Sequence, residues 1–376
     1  MQAFHYIEKA REFEKLQLDD EENIAQNEVP HYFKSIYIPD DKFLLVGGLE
    51  RDQPSTSNRC YMIDDKGKIT YAKEMVTPRQ YFTVATDYPN DFVYIIGGYN
   101  HLSGVLNTFE QFSIRARKWR LCEDSQCINI PRINASACKC GSKHIYLFGG
   151  LSAEDEFLDS IERYNTQLSI WTVLDIKIPQ KVTNNFAFSF DPDYIVILGG
   201  MLKKPEAFVP KESQKVYELQ DRVYVLKTKK LTWKDLKPFP FKKKLGNVVY
   251  NNHGKFFCFV IESNKELPQL FVYDVRSCFP EFNKYWEHHA SQKASMQKIK
   301  GKHIQVHVAY YNPAPKNDQS KMRQAQDTIQ NLTETINNTA QLRNRADSER
   351  ENELEGEMIE LKDIEKEEVA EVIQSD

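Results

Sequence analysis

Long hydrophobic runs are missing from this chain. No apolar stretch approaches the ~20 residues that cross a bilayer. The opening residues, MQAFHYIEKAREFEK, have neither an apolar core nor a cleavage site, so no secretory leader is expected. Glycine is scarce, 15 in 376 residues, and neither sign of charge dominates, the formal net being −4. The seven cysteines are an odd number without a disulfide spacing, which reads as free thiols in a reducing compartment. No phosphate loop, Gly-x-Ser-x-Gly or His-Glu-x-x-His occurs. Cys122-x4-Cys127 and Cys138-x-Cys140 lack the paired spacing of a zinc knuckle and read as small buried residues. His288-His289 and His303-x3-His307 lie in strand and loop segments, without the one-turn spacing of helical ligand pairs. No catalytic residue, cofactor or metal is therefore expected, and a cytoplasmic protein is.

What is present is a rhythm. Eight of the fifteen glycines form four pairs, each closing an apolar run: FLLVGG at 43–48, FVYIIGG at 92–98, HIYLFGG at 144–150 and YIVILGG at 194–200. The second glycines stand at 48, 98, 150 and 200, steps of 50, 52 and 50. A fixed period of this size signals a repeat architecture. An aromatic follows each pair (Tyr61, Phe112, Tyr164, Tyr224), then a tryptophan (Trp119, Trp171, Trp233), with Tyr71 near that place in the first unit. A proline leads each of five units: Pro30, Pro78, Pro131, Pro179 and Pro240. Each unit holds four short apolar runs, the pattern of a small antiparallel sheet. Such a sheet cannot cover its own two faces, but sheets arrayed around an axis cover one another.

The apolar strand–Gly-Gly, Tyr and Trp pattern resembles the kelch repeat over most of residues 3–311, which implies an all-β propeller. The blades are expected at 31–77, 78–130, 131–178, 179–239 and 240–290. The fifth departs from the pattern, with Ile261-Glu262 in place of the glycine pair. A sixth blade is expected to be shared between the chain ends. Residues 3–18 supply its outer strands, because Tyr6 and Phe13 keep the seven-residue spacing, and 291–311 supply its inner strands. The alternative for residues 3–17 is an amphipathic helix.

Beyond a linker at 312–320, the segment 321–376 changes character. Aromatics vanish, and Met322, Ala325, Ile329, Leu332 and Ile336 step by three and four, as along one face of a helix. Residues 347–376 hold thirteen acids and three bases, a net of −10. An acidic helical tail is expected, able to anchor or self-associate; a solvated acidic tail is the alternative. Residues 203–244 carry thirteen Lys/Arg against five Asp/Glu. Lys203, Lys204, Lys211, Lys215, Lys242, Lys243 and Lys244 are accordingly candidate partner-binding residues, or a solubilising loop. The kelch resemblance adds Arg79 and Arg132, since arginines near blade entrances in kelch adaptors hold acidic peptides.

These readings lead to a non-catalytic protein–protein interaction scaffold in a cytoskeletal or other large assembly. A cytoskeletal or ciliary setting is expected, with other proteins as partners and neither membrane nor nucleic acid among them. A substrate-recognition adaptor of a ubiquitin ligase is the alternative. The copper oxidases that share the kelch fold would need a crosslinked Tyr-Cys cofactor with His ligands, for which the chain shows no sign.

Overall fold

The structure, a computed structural model, describes residues 2–7, 12–16, 24, 28–39, 42–64, 66–87, 90–191, 193–204, 217–250, 255–260, 269–279 and 305–310. For 2–7, 12–16 and 305–310 it gives the backbone pairing alone. The chain divides into two compact units, Met1–Asn312 and Pro313–Asp376. The expected linker and tail, with Met322, Ile329, Leu332 and Ile336, lie outside the described residues. So do Lys211, Lys215, Ile261-Glu262 and residues 280–304, where the end of the fifth blade and part of the inner strands of the sixth are expected.

The chain opens with β1 (Gln2–Ile7) and β2 (Glu12–Leu16). The first blade follows: β3 (Lys34–Ile38), β4 (Lys42–Leu49), β5 (Thr56–Ile63) and β6 (Ile69–Ala72). The second is β7 (Thr83–Asp87), β8 (Phe92–Ile96), a hairpin of β9 (Tyr99–Asn100) and β10 (Gly104–Val105), then β11 (Phe109–Ser113) and β12 (Lys118–Leu121). The third is β13 (Ser136–Cys140), β14 (His144–Phe148), β15 (Ile161–Asn165) and β16 (Ile170–Val173). The fourth is β17 (Phe186–Asp191), β18 (Tyr194–Leu198), a hairpin of β19 (Met201–Lys203) and β20 (Tyr217–Leu219), then β21 (Val223–Lys227) and β22 (Thr232–Asp235). The fifth shows β23 (Leu245–Tyr250), β24 (Lys255–Val260) and β25 (Gln269–Asp274), and the last described strand is β26 (Gln305–Tyr310).

Each of the first four blades is a four-stranded antiparallel sheet. The first strands of successive blades lie side by side, β7 beside β13 and β13 beside β17. Because strand side chains alternate between two faces, each sheet buries both. The core is accordingly split into layers between blades. Ile36, Leu44 and Val46 meet Phe82, Val93 and Phe112. Ala85, Tyr94 and Phe109 meet Ile145, Tyr164 and Trp171. Cys138, Cys140 and Tyr146 meet Ile195, Ile197 and Leu226. Val196, Val223 and Val225 meet Val248, Phe256 and Tyr273. The two cysteines of the Cys138-x-Cys140 pair thus share one apolar layer, and burial drives the Cys138 thiol well above its ordinary pKa.

The glycine pairs are the joints between layers. The second glycine's N–H donates to the carbonyl that opens the next blade: Gly48 to Arg79 at 3.0 Å, Gly98 to Arg132 at 2.9 Å, Gly150 to Val182 at 2.9 Å. The first glycine lies against the same carbonyl. At Gly149, with φ +59°, a Cβ would stand 2.3 Å from the Val182 oxygen. Only glycine combines that left-handed backbone with so close an approach.

The aromatic places differ from the sequence reading in two blades. Phe112 faces Trp119 and Tyr164 faces Trp171 across the outer strand pair, as the spacing of seven requires. In the fourth blade it is Leu226 that faces Trp233, while Tyr224 pairs with Asp235. In the first blade Ile63 and Ile69 occupy that row and Tyr61 faces Tyr71. The row tolerates aliphatic residues: Leu226 keeps the spacing of seven to Trp233, and Ile63 and Ile69 stand six apart.

The two chain ends meet in one three-stranded sheet, ordered β2-β1-β26. Tyr6 lies opposite Phe13, so the seven-residue spacing at the N-terminus is a strand pair and not a helix turn.

Candidate protein-binding surface

The blade-opening arginines are internal. Arg79 and Arg132 are buried, each paired with a buried glutamate of its own blade: Arg79 with Glu110 at 2.8 Å and Arg132 with Glu162 at 2.5 Å. Their Nη1 groups donate to the first-glycine carbonyl of the same blade, Gly97 at 2.9 Å and Gly149 at 3.0 Å. The glutamates in turn accept backbone N–H bonds from the segment leading into the blade, Val76 and Thr77 to Glu110, Asn129 and Ile130 to Glu162. Burial pulls both guanidinium groups below their ordinary pKa, and the glutamates oppose that shift. These side chains clasp the blade and are not available to a peptide.

Strand bridges identify the equivalent places elsewhere. The residue just before the bridge is Pro30, Arg79, Arg132 and Val182 in the four blades. The register puts Tyr61, Glu110, Glu162 and Tyr224 at the matching place on the third strand. Blades without the arginine therefore also lack the glutamate, as expected where an unpaired buried charge is strongly unfavourable. In the fourth blade the Gln220 amide donates to the Gly199 carbonyl in the arginine's stead.

Two residues upstream of the inner strand of each of the first four blades the backbone enters the left-handed region: Tyr32 at φ 57°, Tyr81 at 56°, Asn134 at 52° and Asn184 at 53°. Non-glycine residues seldom adopt this conformation, and such strain gathers at binding sites. Backbone bonds link the places around the axis, Asn134 N–H to Tyr81 O and Asn184 N–H to Asn134 O, both 2.8 Å. Tyr32 is 56% exposed, and its ring lies 6.4 Å from Tyr81 and 6.4 Å from His31. Burial, then the neighbouring phenols of Tyr32 and Tyr99, raises the Tyr81 hydroxyl pKa. Burial first, and the Arg51 charge second, lowers that of His31. Lys34, on the inner strand β3 below Tyr32, keeps solvent access but is surrounded by protein, and desolvation lowers its pKa.

The hairpin between β9 and β10 rises from the same end. Its tip, Leu102, is 85% exposed. Asn100 holds the tip, its side-chain oxygen accepting from the Leu102 and Ser103 N–H groups while its amide donates to the Pro78 carbonyl. His101 Nδ1 meets the Thr56 hydroxyl of the first blade at 2.9 Å.

Of the candidate lysines, the structure places Lys203 exposed and Lys204 half-buried after the fourth glycine pair. Lys242, Lys243 and Lys244 are exposed immediately before β23, with the Lys243 ammonium 6.0 Å from the Phe241 ring. A Cβ on Gly199 would stand 2.9 Å from Leu245 Cδ1. The strand end at Gly199 and the start of β23 at Leu245 thus adjoin where the fourth blade joins the fifth. Nothing in the sequence marked Tyr32 and Tyr81, since the backbone strain that sets them apart has no residue signature.

Among the residues whose side chains are described, no three His, Cys, Asp or Glu gather as metal ligands, and no helix is long and apolar enough to cross a membrane. The chain matches the family described as the KLHDC2/KLHL20/DRC7 Kelch-repeats domain, over residues 33–245 and 83–307. It is 27% identical to alpha-scruin of Limulus polyphemus over 178 residues, 43% of this chain and 18% of that protein. It is 24% identical to beta-scruin of the same organism over 221 residues, 56% of this chain and 22% of that one. Human Kelch domain-containing protein 3 is 25% identical over 189 residues, 49% of this chain and 48% of the relative. The alignments thus span less than half of each relative.

Proposed function

The chain belongs to this kelch-repeat family, and on that premise we propose that it is a non-catalytic protein-binding scaffold of a cytoskeletal or other large assembly. The glycine-pair end of the propeller binds the partner, and the acidic C-terminal segment anchors or self-associates. Tyr32 and Tyr81 carry this reading: two adjacent tyrosines, one of them well exposed, on strained backbone beside the axis. Tyrosine offers large contact area with few rotors to immobilise. The exposed Lys203 and Lys242–Lys244, with the half-buried Lys204 and the lysines Lys211 and Lys215 of the same basic stretch of sequence, add attraction for an acidic partner. Six blades, the last shared by the chain ends, complete the ring. The pairing of β1 with β26, and the proximity of β26 to β3, support this closure.

The test is affinity purification of the full chain beside three variants: Tyr32→Ala with Tyr81→Ala, Lys242, Lys243 and Lys244 all to Glu, and deletion of 316–376. Partner recovery should fall at least tenfold with the tyrosine variant and less with the lysine variant. The deletion should release the protein from its assembly. Recovery of a cullin or an elongin-type dock through the C-terminal segment would replace the scaffold with the ligase adaptor. Partners retained by all three variants would remove the surface named here.

A further inference from the structure

In each of the first four blades the outer strand ends its sheet. Such an edge offers backbone N–H and C=O groups to other chains, and charged side chains are the usual guard. β12 carries Lys118 and Arg120, β22 carries Lys234 and Asp235, and β6 lies between Lys68 and Lys73. β16, the outer strand of the third blade, has no such guard. From Gln167 to Leu174 there is neither a charged residue nor a proline. Three aliphatic side chains of this stretch face solvent: Leu168 is 66% exposed, Ile170 53% and Val173 41%.

The ladder decides which backbone groups point outward. The Leu174 N–H donates to the Ile161 carbonyl at 2.9 Å, one step beyond the Glu162–Val173 pair. Hydrogen-bonded pairs alternate along an antiparallel ladder. Ile170 and Thr172 therefore turn their N–H and C=O groups inward, and those of Trp171 and Val173 face out. A second β16 laid antiparallel along this edge must match outward groups with outward groups. A two-fold axis at Thr172 does so. It sets Trp171 opposite Val173 of the second copy and Ile170 opposite its Leu174, apolar against apolar, and each contact occurs twice.

The charges at the two ends of the strand agree with this arrangement. At the β15–β16 turn, Thr166 donates to the carbonyl of Lys143, whose side chain is exposed. At the far end of β16 stands the exposed Asp175. Glu123 and Asp124 are also exposed, beside the 3-10 turn Asp124–Gln126 that packs on β16. Lys177 is already paired with Asp159 at 3.2 Å. Antiparallel pairing brings the acidic end of each edge to the basic end of the other.

We infer that this edge joins two copies of the chain, β16 pairing antiparallel with β16 of a second copy about a two-fold axis at Thr172. The contact belongs to the third blade and does not use the tyrosine rim, the lysines or the C-terminal segment. The paired strands are short, so the dimer is a weak one that forms as concentration rises.

Sedimentation velocity of the full chain over a wide range of concentration should show a monomer–dimer equilibrium. Ile170→Lys with Val173→Lys should weaken it at least tenfold, with the melting temperature of dilute protein unchanged. Val173→Pro removes an outward N–H and spares the ladder to β15, and should have the same effect. Val76→Lys, at an exposed aliphatic position outside β16, should leave the equilibrium intact. Thr172→Cys sets two thiols at a non-hydrogen-bonded pair across the axis, with Cα atoms about 4.5 Å apart. Oxidised glutathione should convert this variant to a covalent dimer, and should not do so for Leu168→Cys in the turn. A chain that stays monomeric, a dimer indifferent to the Ile170 and Val173 variants, or no crosslink through Thr172→Cys would overturn the proposal. A monomeric chain that loses a captured protein on Val173→Pro would overturn it in favour of a strand from another protein.

Discussion

A guanidinium sealed from water persists only where its N–H groups and its charge are answered. Arg132 meets that condition more completely, giving its Nε to the Ile130 carbonyl at 3.1 Å, whereas the Arg79 Nε has no partner and its charge is answered by Glu110. Replacing one member of such a pair strands the other, and this step, more than the pair's own attraction, sets the effect. Arg79→Met is expected to lower unfolding free energy by about 3–5 kcal/mol. Arg79→Met with Glu110→Gln removes the stranded charge yet keeps an acceptor for Val76 and Thr77, and should lose less. Urea titration of the two variants decides this, and an equal loss would refute it. A second residue-scale expectation concerns alkali. Burial pushes the Cys60, Cys122 and Cys258 thiols up to about 12. Their folded pKa lies above the unfolded value of about 8.5. Their neutral form stabilises the fold fully below that value, and the contribution is lost as pH rises toward 12. Melting temperature should therefore fall across this window, and iodoacetamide at pH 8 should leave these three thiols unmodified until the protein unfolds.

At the scale of the element, the outer strands of the second and fourth blades are each tied to the blade before them. Trp119 Nε1 donates to the Lys73 carbonyl and Trp233 Nε1 to the Lys177 carbonyl, both at 2.7 Å. Trp233→Phe keeps a ring in the layer and removes the bond, which should destabilise by about 1 kcal/mol. Glycine substitutions separate strain from collision. Gly104, in the β9–β10 hairpin, has φ +75° with open space beyond it, whereas Gly149 meets the next blade's backbone. Gly104→Ala should cost about 1–2 kcal/mol from backbone conformation alone. Gly149→Ala should cost distinctly more, and thermal melts that rank the two the other way would refute the joint described here. The glycine period made the blades legible because steric crowding at this joint leaves no substitute. The row opposite the tryptophan was misread in the first and fourth blades because isoleucine and leucine fill it as well as an aromatic does. Packing constrains volume there more than residue type.

For the whole molecule the decisive contact is between the ends. Deleting residues 1–18 removes β1 and β2 and exposes β26 along its length. Exposed strand edges invite aggregation. The truncated chain should melt earlier and elute as aggregates, whereas a melt identical to the intact protein would show that closure lies elsewhere.

Glycine period and apolar runs determined the four-stranded sheets of the first four blades, and the Tyr6–Phe13 spacing the N-terminal strand pair, because strand alternation and backbone collision act over a few residues and leave their mark in the sequence. Tertiary structure alone decided that Arg79 and Arg132 face inward, since a blade-opening arginine looks the same whether its glutamate partner is thirty residues away in the chain or on another molecule. It also decided that Tyr32 and Tyr81 share one strained rim, and that the two chain ends share one sheet. These depend on which strands lie side by side, and that pairing is fixed by contacts between residues far apart in the chain.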